Sequence, residues 1–109
     1  MKRASAGFWV TASFRLTRNA ERDVLDIHLY TLEHFGPAQA DKYTADLFAR
    51  FSTLATQPSL GRDFGDIHPG ARRANQGSHA IYYRPDADGI LILRILHQRM
   101  DPARHLGRE

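Results

Sequence analysis

The sequence predicts an α+β fold with the order β-α-α-β-β-β, in which a two-helix hairpin packs on one face of a small antiparallel sheet. Three observations lead to this prediction: an alternating apolar segment near the N-terminus, two amphipathic segments separated only by Gly36-Pro37, and three short extended runs after residue 70. At 109 residues the chain is long enough for one hydrophobic core. We therefore expect a single domain over residues 10–106, preceded by an N-terminal extension over residues 1–9.

The first strand and the first helix follow from periodicity. Apolar and polar side chains alternate over residues 10–16, which is typical of a half-buried strand. Thr17 or Asn19 is then expected to cap a helix. Apolar residues recur at three- and four-residue steps, which predicts an amphipathic helix with an inner stripe of Ala20, Val24, Ile27, Thr31 and Phe35.

The second helix is predicted to begin immediately after the first. Glycine suits the position after a helix and proline suits the first helical turn, so Gly36-Pro37 ends one helix and begins the next. The second inner stripe precedes the Gln57-Pro58 break and consists of Ala40, Tyr43, Leu47, Phe51 and Leu54. Because only two residues connect the helices, they are predicted to be antiparallel neighbours. Residues 58–70, rich in glycine and proline, are predicted to form a loop.

The C-terminal third is predicted to form a three-stranded meander over residues 71–75, 78–84 and 90–97. A hairpin loop over residues 85–89 pairs Arg84 with Ile90. In this register Leu91, Leu93 and Ile95 face the helices and pack on Val24, Ile27, Leu47 and Phe51. The opposite, outer face then carries Tyr82, Arg84, Ile90, Ile92, Arg94 and Leu96. Such a face is too apolar to be simply solvated and too rich in arginine for a second core, which indicates a binding surface.

Composition narrows the classes of function. Thirteen of the fifteen basic residues are arginines, and the formal net charge is +3. Arginines in the C-terminal third favour an anionic partner, either an acidic protein or a nucleic acid, although solvated charge at a sheet edge explains them equally well. The absence of cysteine excludes a disulfide framework, a thiol nucleophile and a thiolate zinc site. No apolar run is long enough for a signal peptide or a membrane span, so we expect a cytoplasmic location without membrane attachment.

Three segments carry a family resemblance: GSHAIYYR at residues 77–84, DGI at residues 88–90 and ILHQRMD at residues 95–101. Together they resemble the C-terminal signature of ParE-type toxins in the RelE/ParE toxin–antitoxin superfamily, and the likeness covers about residues 10–106. The resemblance implies a first strand beside the last, and a cytoplasmic toxin held inactive by a cognate ParD-like antitoxin. ParE-type members poison DNA gyrase, whereas RelE-type members cleave mRNA on the ribosome.

A ribonuclease site would need a general base, a general acid and cations for the phosphate. Residues of the right type are Arg73, Arg84, Arg94, His79, His97 and Tyr82. Strand alternation places both histidines on the helix-covered side, where hydrogen bonds to backbone at the strand ends are the simpler interpretation. The other histidines lack metal-ligand spacing, and no nucleophile elbow or phosphate-binding glycine loop is present. We therefore expect no catalytic residues, no metal site and no cofactor.

The favoured hypothesis is a gyrase-inhibiting toxin, with a ribosome-dependent mRNA endonuclease and a non-toxic degenerate family member as alternatives. The tail, with a short helical turn near Pro102, is expected either to reach away from the sheet or to cover its edge through Met100 and Leu106. The predicted target-binding residues are Arg94, Arg99, Met100, Asp101 and Arg104. The predicted antitoxin-binding residues are Tyr82, Arg84, Ile90, Ile92 and Arg94. The expected partners are the antitoxin and DNA gyrase, without direct sequence-specific binding of nucleic acid.

Overall fold

The computed structural model describes residues 13–106. Its helices and strands are β1 (Ser13–Leu16), α1 (Arg18–Phe35), α2 (Pro37–Thr56), β2 (Arg62–Asp63), β3 (Arg72–Gln76), β4 (His79–Asp86), β5 (Gly89–His97) and α3 (Pro102–His105). The predicted α+β class is confirmed, with the helical hairpin between the first strand and the meander. The predicted extension over residues 1–9 and the start of the predicted first strand lie outside the described residues.

The strands of the described part form one sheet in the order β1-β5-β4-β3-β2. β1 runs parallel to β5 and pairs residues 13–16 with residues 89–92, so the first strand lies beside the last, as the resemblance implied. The other pairs are antiparallel, which makes the sheet mixed. Gly89 permits this close approach, because a Cβ atom there would collide with the Ser13 carbonyl group. The two-residue strand β2 was not predicted, since it lies within a loop rich in glycine and proline.

Local sequence signals set the ends of the two long helices. The Thr17 hydroxyl oxygen accepts a hydrogen bond from the Ala20 N–H at 3.0 Å, so Thr17 is the N-cap of α1. Gly36 adopts a φ of 89°, a left-handed conformation that favours glycine, and α2 begins at the next residue. Both inner stripes pack on the sheet as predicted, except that Phe35, the last residue of α1, is 68% exposed.

The turn between β4 and β5 is shorter than predicted. The strands continue to Asp86 and Gly89 and leave a two-residue turn, where the sequence predicted a five-residue loop. Pro85 therefore pairs with Ile90, one position away from the predicted Arg84–Ile90 pair.

A bulge in β5 shifts the register a second time. Tyr83 pairs with Ile92, but the preceding residue Tyr82 pairs with Arg94, so that Leu93 is the extra residue. A bulge of this kind bends the strand and re-aims the side chains on either side of it. Sequence periodicity gave no sign of it, because every residue from 90 to 93 is a branched aliphatic.

These two shifts correct the predicted faces of β5, because a one-residue change of register moves side chains to the other face. Ile90 and Ile92 were predicted on the outer face but are buried against the helices. Leu91 and Leu93 were predicted against the helices but lie on the outer face. Ile95 faces the helices as predicted, since the bulge restores the expected alternation beyond it.

The sheet therefore has a buried core on both faces. The helix side holds the larger core, built around Leu47, Phe51, Leu54, Ile81, Tyr83, Ile90 and Ile92. The outer core consists of Ala71, Ala80, Tyr82, Leu93, Leu96 and Leu106, with Phe64 and Leu91 packed against it. The loop before β3 and the residue after α3 supply part of this outer core, so the chain itself covers a face that the sequence predicted to be open.

Truncating Leu93 tests the outer core. This side chain is 1% exposed, so Leu93→Ala should lower the free energy of unfolding by about 2–5 kcal/mol, measured by urea denaturation. Leu25→Ala is the matched control, because Leu25 is 55% exposed and its truncation should change stability by at most about 0.5 kcal/mol. Equal denaturation midpoints for the two variants would contradict a packed outer core.

Candidate functional site

The predicted antitoxin-binding face is not an open surface. Tyr82 is 2% exposed beneath the outer core, and Ile90 and Ile92 are buried under the helices. Arg84 is exposed on β4, as predicted. The sequence placed these side chains on one open face because it missed the register shifts and the covering of the sheet by Leu106. Of this set, Arg84 keeps the accessibility that a protein contact requires.

Arg94, predicted for both partner surfaces, is held by an acidic residue of α1. Its Nε donates to Asp23 Oδ2 at 2.8 Å and its Nη2 donates to Asp23 Oδ1 at 2.9 Å. Asp23 Oδ2 also accepts from the Ile95 backbone N–H at 2.9 Å. The two side chains are 17% and 11% exposed, so the guanidinium is largely committed inside the protein. The sequence analysis missed this pair, because no spacing pattern connects residues 71 positions apart.

The tail folds back onto the sheet instead of reaching away from it. Asp101 Oδ1 accepts from the Ala103 N–H at 3.1 Å and caps the short helix α3. Leu106, which follows α3, is 5% exposed in the outer core, so the alternative of a tail that covers the sheet fits its placement. Arg99 and Arg104 are exposed, and Met100 is 39% exposed. The tail thus presents two arginines and a methionine on one short surface segment.

A groove runs beside α1, over the ends of β4 and β5. It has a volume of about 740 Å³, and its lining includes Asp26, Tyr30, Phe35, His79, His97 and Met100. A second hollow of about 370 Å³ shares Tyr30, Phe35, Ser78 and His79 with it. The groove therefore combines apolar walls, two histidines and an exposed carboxylate.

Hydrogen bonds fix the proton positions on both histidines. Tyr43 Oη donates its single proton to the Gln76 carbonyl oxygen at 2.7 Å, so His79 Nδ1, 2.8 Å away, must donate to Tyr43 Oη. His97 Nδ1 accepts from the Arg99 backbone N–H at 3.1 Å, which leaves the proton of the neutral ring on Nε2. The rings lie 5.7 Å apart, edge to face. Burial, and secondarily the electrostatic interaction with the neighbouring His97, lower the pKa of His79, which favours its neutral form.

The charges of the groove do not suit a phosphodiester. The two histidines are of the residue type that the general base and the general acid of RNA cleavage need. However, Asp23 engages the Arg94 guanidinium, and Asp26 adds a second carboxylate to the lining. A phosphate would meet negative charge there and little uncommitted positive charge.

Helix α1 carries a second apolar surface on its outer side. Leu25, Leu29 and Leu32 are 55%, 50% and 38% exposed. Spacings of four and three residues place them on one helix face. We call this set the α1 leucine stripe. Among the described residues nothing covers this stripe, and an exposed apolar stripe of this kind is typical of a surface that another protein covers.

Neither a membrane span nor a metal cluster emerges from the described residues. None of the helices within residues 13–106 is long and apolar enough to cross a membrane. The same residues contain no group of three or more histidine, aspartate or glutamate side chains arranged to hold a metal ion.

The sequence matches one protein family over most of its length. The family described as "ParE toxin of type II toxin-antitoxin system, parDE" matches residues 14–102. "Toxin ParE1" of Caulobacter vibrioides is 36% identical over 94 residues, which span 86% of this chain and 97% of that protein. "Toxin ParE1" of Mycobacterium tuberculosis is 33% identical over 98 residues, which span 89% of this chain and 100% of that protein.

Solved structures share the fold. A chain of the chromosomal ParDE toxin–antitoxin system from P. aeruginosa matches with a TM-score of 0.67 at 25% identity, covering 80% of this chain and 96% of that chain. A chain of the toxin–antitoxin complex RelBE2 from Mycobacterium tuberculosis matches with a TM-score of 0.59 at 23% identity, covering 82% and 100% respectively. The second likeness concerns the fold alone.

The environment of His79 predicts a pH dependence of stability. The pKa of His79 in the folded protein lies below its unfolded value of about 6.5. The stabilisation that the neutral His79 side chain gives to the folded protein is therefore complete above that pH and is lost as the pH falls. The unfolding free energy should therefore fall between pH 7.5 and pH 5.5, and His79→Asn should reduce this fall, as measured by urea denaturation at both pH values. Asparagine keeps a donor near the Nδ1 position but does not titrate.

The control is Tyr43→Phe, which removes the hydrogen bond but keeps the imidazole and should therefore retain the pH dependence. An equal loss of unfolding free energy between the two pH values in the wild type and in His79→Asn would contradict the assignment.

Proposed function

This chain belongs to the ParE toxin family of type II toxin–antitoxin systems, and from this premise we propose that it inhibits DNA gyrase and is neutralised by direct binding of a cognate ParD-like antitoxin in the cytoplasm. The match over residues 14–102 is the observation that carries the proposal. The likeness to a chain of a ParDE system supports an antitoxin as the natural partner. The toxin acts by binding and performs no chemistry of its own.

The side-chain chemistry supports a binding protein over a ribonuclease. Tyr82 is buried in the outer core, and Arg94 is committed to Asp23. The histidine pair in the groove has acid–base capacity, but the carboxylates beside it disfavour a bound phosphate. A ribosome-dependent endonuclease is therefore the weaker candidate.

For the antitoxin we propose a contact on the α1 leucine stripe, supported by charged contacts at Arg84. The three leucines expose apolar area that an amphipathic segment can bury, and removing apolar surface from water favours association. The net charge of +3 favours an acidic partner, whose carboxylates can accept both N–H groups of the Arg84 fork. Ile90 and Ile92, predicted for this role, lie beneath the helices and are left out of the proposed contact.

For the target we propose a contact on the exposed tail. Arg99 and Arg104 are exposed on a segment whose short helix is capped by Asp101 and whose end is anchored in the outer core by Leu106. A fixed segment loses less conformational entropy on binding than a flexible one. Met100, partly exposed between them, adds an adaptable apolar contact.

The antitoxin contact is tested by Leu29→Glu. This residue is 50% exposed, so the charge should leave folding intact but weaken antitoxin binding at least about tenfold, or about 1.4 kcal/mol, in calorimetric titration. Ile67→Glu is the control, because Ile67 is 43% exposed and lies in the loop between β2 and β3. If both variants bind like the wild type, the α1 leucine stripe is not the antitoxin surface.

The target contact is tested by reversing the charge of the tail. Expression without antitoxin should arrest replication and cause filamentation and a DNA-damage response, and purified toxin should inhibit gyrase supercoiling. The double variant Arg99→Glu/Arg104→Glu should lose this inhibition and keep its antitoxin affinity. Arg84→Glu should show the opposite pattern. Codon-positioned mRNA cleavage on ribosomes, with gyrase unaffected, would overturn the proposal in favour of an endonuclease.

A further inference from the structure

The groove beside α1 opens along an uncovered stretch of sheet edge. Within the described part of the chain, no strand lies beside this edge of β5 beyond Ile92. The end of β5, including Ile95 and His97, lines one side of the groove, and the face of α1 that carries Asp26 and Tyr30 lines the other. The groove therefore lies where a further strand can reach the sheet.

Two backbone groups of this edge are open to a partner. The Gln98 N–H donates to the Ser78 carbonyl oxygen at 3.0 Å, and hydrogen-bonded pairs alternate along an antiparallel ladder. The backbone groups of Ile95 and His97 therefore point away from β4. The Ile95 N–H donates to Asp23, and the His97 carbonyl oxygen accepts within the following turn. Among residues 13–106 this leaves the Ile95 C=O and the His97 N–H without a hydrogen bond.

The side chains that line the groove beside this edge include large exposed apolar groups. Tyr30 and Phe35 are 58% and 68% exposed, and Met100 is 39% exposed. The Tyr30 ring stacks on the His34 ring with the ring centres 4.0 Å apart, which orders it before any partner binds. A strand laid along the edge would bury part of this apolar area, and removing apolar surface from water favours binding.

The groove also carries a carboxylate without a counter-ion. Asp26 is exposed, and within the described residues it takes part in no ion pair or hydrogen bond. The other carboxylate of the lining, Asp23, is bonded to the Arg94 guanidinium. Burial favours the neutral form of His79. The uncompensated charge of the lining is therefore negative, which favours a partner that brings a basic side chain.

An extended segment fits this site better than a helix does. A helix uses its own backbone groups internally, so it leaves the open Ile95 C=O and His97 N–H unpaired. The α1 wall from Asp23 to Tyr30 is about 10 Å long at about 1.5 Å per residue. An extended chain rises about 3.3 Å per residue, so about three to four of its residues lie along this wall.

From these features we propose that the groove binds an extended, basic segment of another protein, which adds to the edge of β5 as a strand. In a parallel pairing, one residue of the segment donates to the Ile95 C=O and accepts from the His97 N–H. Main-chain hydrogen bonds of this kind supply affinity, and contacts of the alternate side chains supply specificity. A lysine or arginine of the segment pairs with Asp26, and its apolar side chains pack on Tyr30 and Phe35.

This site is separate from the surfaces proposed above for the antitoxin. It lies on the side of α1 opposite the α1 leucine stripe, because the groove residues of α1 and the three leucines fall on different faces of the helix. The proposal therefore does not depend on the antitoxin contact or on the choice of gyrase as target.

The direct test follows the backbone amide signals of the full chain in ¹H–¹⁵N NMR spectra. The probe is a capped hexapeptide in which valine and lysine alternate. Its titration should shift the His97 amide signal in a saturable manner and slow the hydrogen exchange of this N–H, because the group gains an acceptor. The Ala87 amide signal should stay in place, since Ala87 lies in the turn before β5, at the far end of the strand.

Altered peptides and variants separate the contributions. The same hexapeptide N-methylated at every residue keeps its side chains but cannot donate to a strand, and it should bind at least about fivefold more weakly. Asp26→Asn should weaken binding of the unmethylated peptide about two- to fivefold, as expected for an exposed ion pair. Asp41→Asn is the matched control, because Asp41 is exposed on α2 outside the lining of the groove, and it should bind like the wild type.

Four results would overturn the proposal. The first is the absence of a saturable shift of the His97 amide signal, and the second is equal affinity for the N-methylated peptide, which would rule out strand addition. The third is binding of a hexapeptide with glutamate in place of lysine at equal or higher affinity, which would remove the charge argument. The fourth is a His97 shift that depends on protein concentration without any peptide, which would identify a second copy of this chain as the occupant.

Discussion

Asp23 accepts three hydrogen bonds from the last strand of the sheet, two from the Arg94 guanidinium and one from the Ile95 N–H. β1 pairs with β5 only as far as Ile92, so within residues 13–106 no strand lies beside this edge of β5 beyond that point. Thr17 and Asp23 take over its backbone groups: the Thr17 hydroxyl donates to the Leu93 carbonyl oxygen at 2.8 Å, and Asp23 accepts from Ile95. The first turns of α1 thereby satisfy backbone groups that a neighbouring strand would otherwise bond. These hydrogen bonds hold the helical hairpin over the sheet.

The same junction explains which surfaces of the described residues remain accessible. The edge that Thr17 and Asp23 cover is also the bulged part of β5, beyond which Ile95 faces the helices and Leu96 lies on the outer face. Together with Leu106, Leu93 closes that face into a second core. With a core on both faces of the sheet, the surfaces left for partners are the outer side of α1, the groove beside it, the tail and the sheet end near β2.

Sequence reasoning succeeded where the signal was local. Thr17 and Gly36-Pro37 mark helix ends through their own hydrogen-bonding and backbone preferences, and the inner stripes follow from helical period. The predicted faces of β5 were wrong because they depend on strand register, and residues 90–93 are all aliphatic and fit either face equally well. The Asp23–Arg94 pair was likewise beyond reach, since it joins residues from elements far apart in the chain. Exposure of Arg99 and Arg104 was anticipated, but the anchoring of the tail by Leu106 was left as one of two alternatives.

The parallel pairing of β1 with β5 has a consequence for the order of events during synthesis. Ser13 and its neighbours hydrogen bond with residues 89–92, so the sheet cannot close until almost the whole chain has left the ribosome. Pairing between segments so distant in sequence is slow to form, whereas helices and hairpins form from local contacts. The helical hairpin, with its α1 leucine stripe, is therefore available to a partner before the native sheet is complete. A growing chain would expose the surface proposed for the antitoxin before it acquires the tail surface proposed for the target.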